Sequence, residues 1–223
     1  MRKKLFFSAI SKFSLGAAAL GLMLFLPAGT VRFPEGWLLL GLLLIPMFLA
    51  GLVMMVKNPG LLRSRLEARE PELRQKLVVK LSGAMFLGAF VSAGLSFRFD
   101  FGRLPRWAGI LGAVVFLLAY GLYGEVLREN TWLSRTVRVQ EGQTVVDTGL
   151  YGIVRHPMYA VTLVLFLSMP LVLRSWVSLL WMAAYPVLIG LRIRSEEEIL
   201  CRELAGYEAY RKKVKYRLIP GIF

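Results

Sequence analysis

The chain has little of the chemistry that marks soluble enzymes. It holds one cysteine, Cys201, and one histidine, His156, in 223 residues. A lone cysteine excludes an internal disulfide and a cysteine cluster for zinc, and a lone histidine excludes a multi-histidine metal site. No glycine-rich strand–turn–helix fingerprint for a dinucleotide is present, and no internal repeat. Negative charge is scarce: 14 Asp and Glu stand against 28 Lys and Arg, a net charge of +14. Yet charged residues of both signs make up only 19% of the chain and lie between apolar blocks. No basic stripe interleaved with stacking aromatics and no nucleic-acid motif accompanies them, so nucleic acid is not the expected partner. The excess fits cytoplasmic loops beside anionic headgroups.

What the chain does have is long hydrophobic runs, 57% of its residues being hydrophobic. Leu5 to Leu26, Leu38 to Val56, Leu77 to Phe97 and Trp107 to Leu127 each suit a bilayer about 30 Å thick, which takes about 20 helical residues. The first follows Arg2-Lys3-Lys4 and could pass for a signal peptide, but its apolar part is longer than an h-region and reads as a retained span. Two shorter runs, Met158–Leu173 and Val177–Leu191, are split by Arg174-Ser175 and read as a tightly packed hairpin. Between spans, Arg63 to Lys76 is expected to be a short surface helix broken at Pro71. Asn130 to Asp147 carries a β-like piece from Thr136 to Gln140, a turn at Glu141-Gly142, and Thr144-Val145-Val146, which suits a small hairpin or an irregular cap. Glycines from Gly16 to Gly21 suit close helix packing better than a phosphate loop. The expected fold is all-α, a polytopic helical membrane protein of about five to six membrane helices with a C-terminal helical hairpin and an amphipathic tail. Residues 1–127 form helices 1–4 with a cytoplasmic loop at 57–78, and residues 128–223 form the cap, hairpin and tail.

Positive charge orients the set. With the N-terminus inside, 23 of the 28 basic residues fall on the inner side, leaving Arg32, Arg98, Arg103, Arg106 and Arg174 outside. Both termini and the segment around His156 are therefore expected in the cytoplasm. Reporter fusions after Arg103 and after Phe223 should report opposite sides of the membrane. The same side for both would sink this topology.

The stretch from Gly149 to Tyr159 marks the passage from polar to apolar sequence and contains Arg155-His156-Pro157. Proline has no N–H to lose and suits a first helical position, so a membrane helix is expected to start at Pro157. Its first-turn N–H groups would face the aqueous boundary, where an anionic group could meet them, with Arg155, His156 and Tyr159 around that point. An interfacial anchor of basic and aromatic residues is the plainer reading of the same pattern. At the far end of the hairpin, Arg192, Arg194, Glu196, Glu197 and Glu198 follow the last apolar run directly. Such a run is usually a solvated ion-pair network, but acids and arginines held at a membrane boundary are functional candidates. Tyr207, Tyr210 and Arg211-Lys212-Lys213 read as an amphipathic, lipid-contacting helix. Cys201 reads as a small apolar residue with no base to activate it.

Val145, Gly149, Tyr151, Arg155, His156, Pro157 and Tyr159 fill a pattern that resembles the isoprenylcysteine carboxyl methyltransferases and related phospholipid methyltransferases. Glu196-Glu197, Leu200, Gly206-Tyr207, Tyr210, Val214 and Pro220 follow in the same order, so the resemblance spans about Asn130 to Phe223. Ala160-Val161 depart from it, since a glycine often follows the tyrosine there. The resemblance implies an S-adenosylmethionine-dependent methyltransferase at the cytoplasmic face, taking a lipid-like acceptor laterally from the bilayer, such as the carboxylate of a prenylated cysteine. It implies cofactor contacts from Gly149, Tyr151, Arg155, His156, Pro157, Tyr159, Glu196 and Glu197, catalytic roles for Arg194 and Glu197, and substrate contacts from Arg192 and Tyr207. Membrane lipids are the expected surroundings, and no metal is implied. A phospholipid amine N-methyltransferase, an NADPH-dependent membrane reductase of the sterol-reductase type and a non-enzymatic lipid-binding protein are the alternatives.

Overall fold

The computed structural model describes residues 2–66, 73–134, 136 and 139–223. Its helices are α1 (Arg2–Ala28), α2 (Pro34–Lys57), α3 (Pro59–Leu66), α4 (Leu73–Phe99), α5 (Arg106–Glu129), α6 (Pro157–Val172), α7 (Trp176–Met182), α8 (Tyr185–Glu203) and α9 (Tyr207–Lys213). A 3₁₀ turn, Gly149–Gly152, precedes α6. No strand occurs among the described residues, and the segment after α5 is an irregular cap. The turn at Glu141-Gly142 is present, with Gly142 at φ +72° and Gln143 N–H donating to the Gln140 carbonyl at 3.0 Å. Residues 135, 137 and 138 of the β-like piece lie outside the described residues, as does the break expected at Pro71.

All four long hydrophobic runs are helices, each extending a few residues beyond its apolar stretch. Among the described residues, five stretches are long and apolar enough to cross a membrane: 3–28, 34–57, 75–99, 106–129 and 176–203. The 16-residue α6 is a shorter apolar helix beside them. The last stretch is not one straight helix. Pro186 sits in the first turn of α8, where its missing N–H breaks the ladder from α7 and lets a new helix begin. The acidic run then continues α8 without interruption to Glu203.

Helix contact is closest where glycines let backbones approach. A Cβ on Gly112 of α5 would lie 2.6 Å from Leu171 Cβ and 2.7 Å from the Val172 nitrogen of α6. A Cβ on Gly94 of α4 would lie 2.5 Å from the Leu24 carbonyl oxygen of α1. The glycines expected to pack closely, Gly16 and Gly21, do not: nothing lies within 4 Å of a Cβ at Gly16, and Gly21 would only touch Phe25. Without a neighbouring structure, sequence cannot say which side of α1 faces a partner.

One end of the bundle is closed by a polar knot. Glu35 Oε1, at the start of α2, accepts from Arg103 Nη2 at 2.6 Å and Arg174 Nη1 at 2.9 Å. Arg174 Nε also donates to the Leu104 carbonyl at 2.9 Å, tying the α4–α5 loop to the α6–α7 turn. These are two of the five basic residues assigned to the outer side. The cap, the start of α6 and the end of α8 meet at the other end.

Candidate functional site

The site is built where α6 begins. His156 is the N-cap of that helix and Pro157 its first residue, as the local sequence demanded. Two of the first-turn N–H groups, however, are already used: Tyr159 and Ala160 both donate to the His156 carbonyl, at 3.0 and 3.1 Å. Preceding it, Gly149 at φ +52° opens the 3₁₀ turn. A Cβ there would fall 1.6 Å from Glu129 Oε1, so only glycine lets the Glu129 carboxylate reach the Leu150 N–H, at 3.0 and 3.2 Å. The need for glycine at this point is the closing of the α5–α6 connection.

The chain after α9 wraps the other side. Arg155 N–H donates to the Tyr216 carbonyl and His156 N–H to the Arg217 carbonyl, both at 2.9 Å. Arg155 Nη1 donates to the Val214 and Lys215 carbonyls, each at 2.7 Å, while its Nε donates to Glu197 Oε1 at 2.7 Å. His156 Nε2 faces the same oxygen at 3.2 Å, and Arg217 Nε donates to Glu197 Oε2 at 2.9 Å. A carboxylate only accepts, so this contact places the imidazole proton on Nε2. Arg155, His156 and Glu197 are 7%, 5% and 3% exposed, so this is a buried charge cluster with its partners supplied.

One helical position earlier, the chemistry faces outward. Tyr159 hydroxyl donates to Glu196 and accepts from Arg192 Nε at 2.9 Å, and its ring stacks on His156 with centroids 5.7 Å apart. These groups line a cleft. Its other walls are Trp132, Thr136 and Val145 of the cap, Tyr151 of the 3₁₀ turn, Leu200 of α8, and Tyr207 and Tyr210 of α9. Burial pushes the phenols of Tyr151, Tyr207 and Tyr210 well above their ordinary range, which keeps each protonated as a donor. Tyr210 hydroxyl donates to the Tyr151 carbonyl at 2.7 Å. Tyr207 hydroxyl is buried in the cleft with no partner among the described residues.

Of the residues singled out in the sequence, Tyr151, Arg155, His156, Tyr159, Arg192, Glu196 and Tyr207 share this cleft. Gly149, Pro157 and Glu197 support it from behind, and Arg194 is exposed on α8. Tyr207 and Tyr210 do not face lipid: they are buried against Leu204 and Val214, with Val139 and Val145 of the cap alongside. Cys201 is half-buried at the edge of this cluster, where Arg211 Nη1 approaches its sulfur at 3.5 Å. Glu129 and Arg217 were not singled out. Nothing local marks them, because each acts on residues 20 or more positions away.

The cleft thus joins an Arg-His-Pro helix start to Glu196 across a helical hairpin, with Glu197 behind its wall. Residues 110–202 match the isoprenylcysteine carboxyl methyltransferase (ICMT) family. A comparison with curated proteins gives no match. The ICMT match begins inside α5 and stops at the end of α8. It includes the cap, the α6 helix start and the Glu196-Glu197 pair. The tail that locks Arg155 and His156 in place lies beyond the ICMT match.

Proposed function

We propose that the chain is an S-adenosylmethionine-dependent methyltransferase that esterifies the carboxylate of a prenylated, lipid-like acceptor at the cytoplasmic face. The observation that supports this most is the cleft at the head of α6, with the ICMT family match laid across it. The residues present fit the cofactor. Glu196 offers a carboxylate to an ammonium group, and the buried, unpartnered Tyr207 hydroxyl offers a donor to a carboxylate. Trp132, Tyr151 and Tyr159 supply aromatic walls for a purine.

When bound, S-adenosylmethionine supplies a methyl group on a sulfonium, open to in-line displacement. The protein's part is alignment and exclusion of water. A carboxylate acceptor is already a nucleophile and needs no general base; Arg192 would hold it beside Tyr159. Glu197, with both oxygens occupied, would act through Arg155 and His156 by fixing their orientation. Arg194, exposed beyond the cleft, is proposed to steer anionic groups toward it. The cytoplasmic placement is supported by the basic residues concentrated at the cleft end of the bundle.

Calorimetric titration of detergent-solubilised protein tests the reading. One equivalent of S-adenosylmethionine per chain is expected, with no heat from NADPH. Binding of NADPH in its place would assign the cleft to a reductase, and binding of neither would leave a lipid-binding protein.

A further inference from the structure

Helix α3 lies outside the ICMT match, yet it reaches the back of the cleft wall. Asn58 Oδ1 caps its first turn by accepting from Leu61 N–H at 3.0 Å. Lys12 Nζ of α1 donates to the Leu66 carbonyl at its end, at 2.7 Å. Ser64 Oγ reaches the Leu133 carbonyl of the cap at 3.3 Å. Tethered to both α1 and the cap, α3 presents Arg65 to the seam between α5 and α6. Arg65 Nη2 donates to the Tyr123 hydroxyl, and the guanidinium carbon lies 5.7 Å from the centre of that ring. Arg65 Nη1 is 3.6 Å from Met158 Sδ. Met158 lines the cleft, so the guanidinium stands one side chain behind its wall.

The partners of this cation differ from those of the buried ion pairs. Arg155 and Arg217 meet Glu197, and Arg103 and Arg174 meet Glu35. Arg65, half-buried, meets a phenol and a thioether, and no carboxylate faces it among the described residues. Among the described residues, these two neutral contacts bring no counter-charge to it. Met158 is unbranched and flexible, a wall that can turn aside without a packing penalty on the scale of a branched residue. A guanidinium's planar fork matches a carboxylate in two-point contact and repels an ammonium.

We infer that Arg65 binds the carboxylate of the acceptor at the α5–α6 side of the cleft and selects an acid over an amine. This rests on the methyltransferase reading above and adds to it a specificity residue from the N-terminal half. The acceptor's charged end would pass from Arg65 toward Arg192 as Met158 yields, while its apolar part remains along the bilayer-facing seam.

The test uses the full chain in detergent and two probes: an S-farnesylated cysteine derivative with a free carboxylate, and its carboxamide. The parent should bind the acid about tenfold or more tightly than the amide, the scale of one charged hydrogen-bonded contact. Arg65→Gln should cut that ratio about threefold or more, Arg192 keeping the remainder, with S-adenosylmethionine affinity unchanged. Arg65→Lys should keep part of it. Tyr123→Phe removes the same hydrogen bond but leaves the cation, and should keep the preference; if Arg65→Gln does not fold, the ratio in Arg65→Lys decides the matter, a drop supporting the inference and the parent's value overturning it. An Arg65→Gln protein that keeps the parent's ratio, a Tyr123→Phe protein that loses the preference, or a parent that does not discriminate would overturn the inference. Failure of the parent to bind S-adenosylmethionine, read in a separate titration, counts against the methyltransferase reading instead.

Discussion

Glu197→Ala is expected to lower the stability of the folded protein by about 3–5 kcal/mol, the cost of breaking a buried ion pair on one side. Three donors converge on that carboxylate: Arg155 Nε, His156 Nε2 and Arg217 Nε. Removing it leaves a guanidinium that is 7% exposed without its counter-charge. Glu197→Gln keeps the shape and one acceptor oxygen, so its loss should be smaller. Thermal unfolding of detergent-purified protein, followed by near-ultraviolet circular dichroism, gives the comparison. Arg155→Met should also destabilise, and the double variant should lose less than the sum, since both remove the same contact. An unchanged unfolding temperature in Glu197→Ala would mean that the cluster is not formed. Because Arg155 also holds the Val214 and Lys215 carbonyls, the damage should extend to the tail. Proteolysis should cut the variant between α9 and residue 217 more readily than the parent.

The second large effect lies away from the cleft. Gly112→Ala places a methyl group 2.7 Å from a backbone nitrogen of α6 that cannot rotate aside, and 2.6 Å from Leu171 Cβ. Such overpacking costs about 1–3 kcal/mol, and a backbone obstacle puts it at the upper end. Gly121→Ala on the same helix meets nothing within 4 Å. There alanine's better helix propensity should make the change neutral or stabilising by about 0.5–1 kcal/mol. Opposite signs are thus expected from one substitution at two positions of α5, read as unfolding temperatures. Gly112→Ala should also weaken S-adenosylmethionine binding, since α6 carries His156 and Tyr159. Equal shifts at the two positions would show that α5 and α6 do not cross there.

Much of this was legible in the sequence, for reasons that differ from residue to residue. The long runs were readable because a bilayer requires about 20 apolar residues whatever they pack against. The α6 start was readable because Pro157 stands where polar sequence turns apolar, and proline suits a first helical position. Nearly equal hairpin arms brought His156 and Arg192 to the same end, so the neighbourhood of the site followed from lengths alone. Which glutamate faces the cleft did not follow. Glu196 and Glu197 are adjacent, and the choice depends on Arg217 arriving from a tail whose path no local pattern encodes. The pairing of Gly149 with Glu129 was hidden for the same reason, and so was Arg65, which acts across 93 residues on Met158. The break before α8 was readable in principle from Pro186, but the hydrophobic run conceals it. The lipid-facing reading of Tyr207 and Tyr210 failed because the irregular cap supplies a protein surface that their periodicity could not announce.

The arginine that anchors this site has consequences for biosynthesis. Arg155 precedes its carboxylate by 42 positions and the farthest carbonyl partner of its side chain by 60. At ~5–20 residues per second, a ribosome takes on the order of 3–12 s to span that interval. Until Glu197 is made, 42 residues on, a guanidinium at the head of α6 has none of its final partners, and the carbonyls of the tail come later still. The polar end must wait in the interfacial layer, held by headgroups or by the insertion machinery, until α8 and then the tail are delivered. Ribosome pausing within codons 198–213 would lengthen that exposed state, making this interval the one in which the nascent chain is most open to degradation.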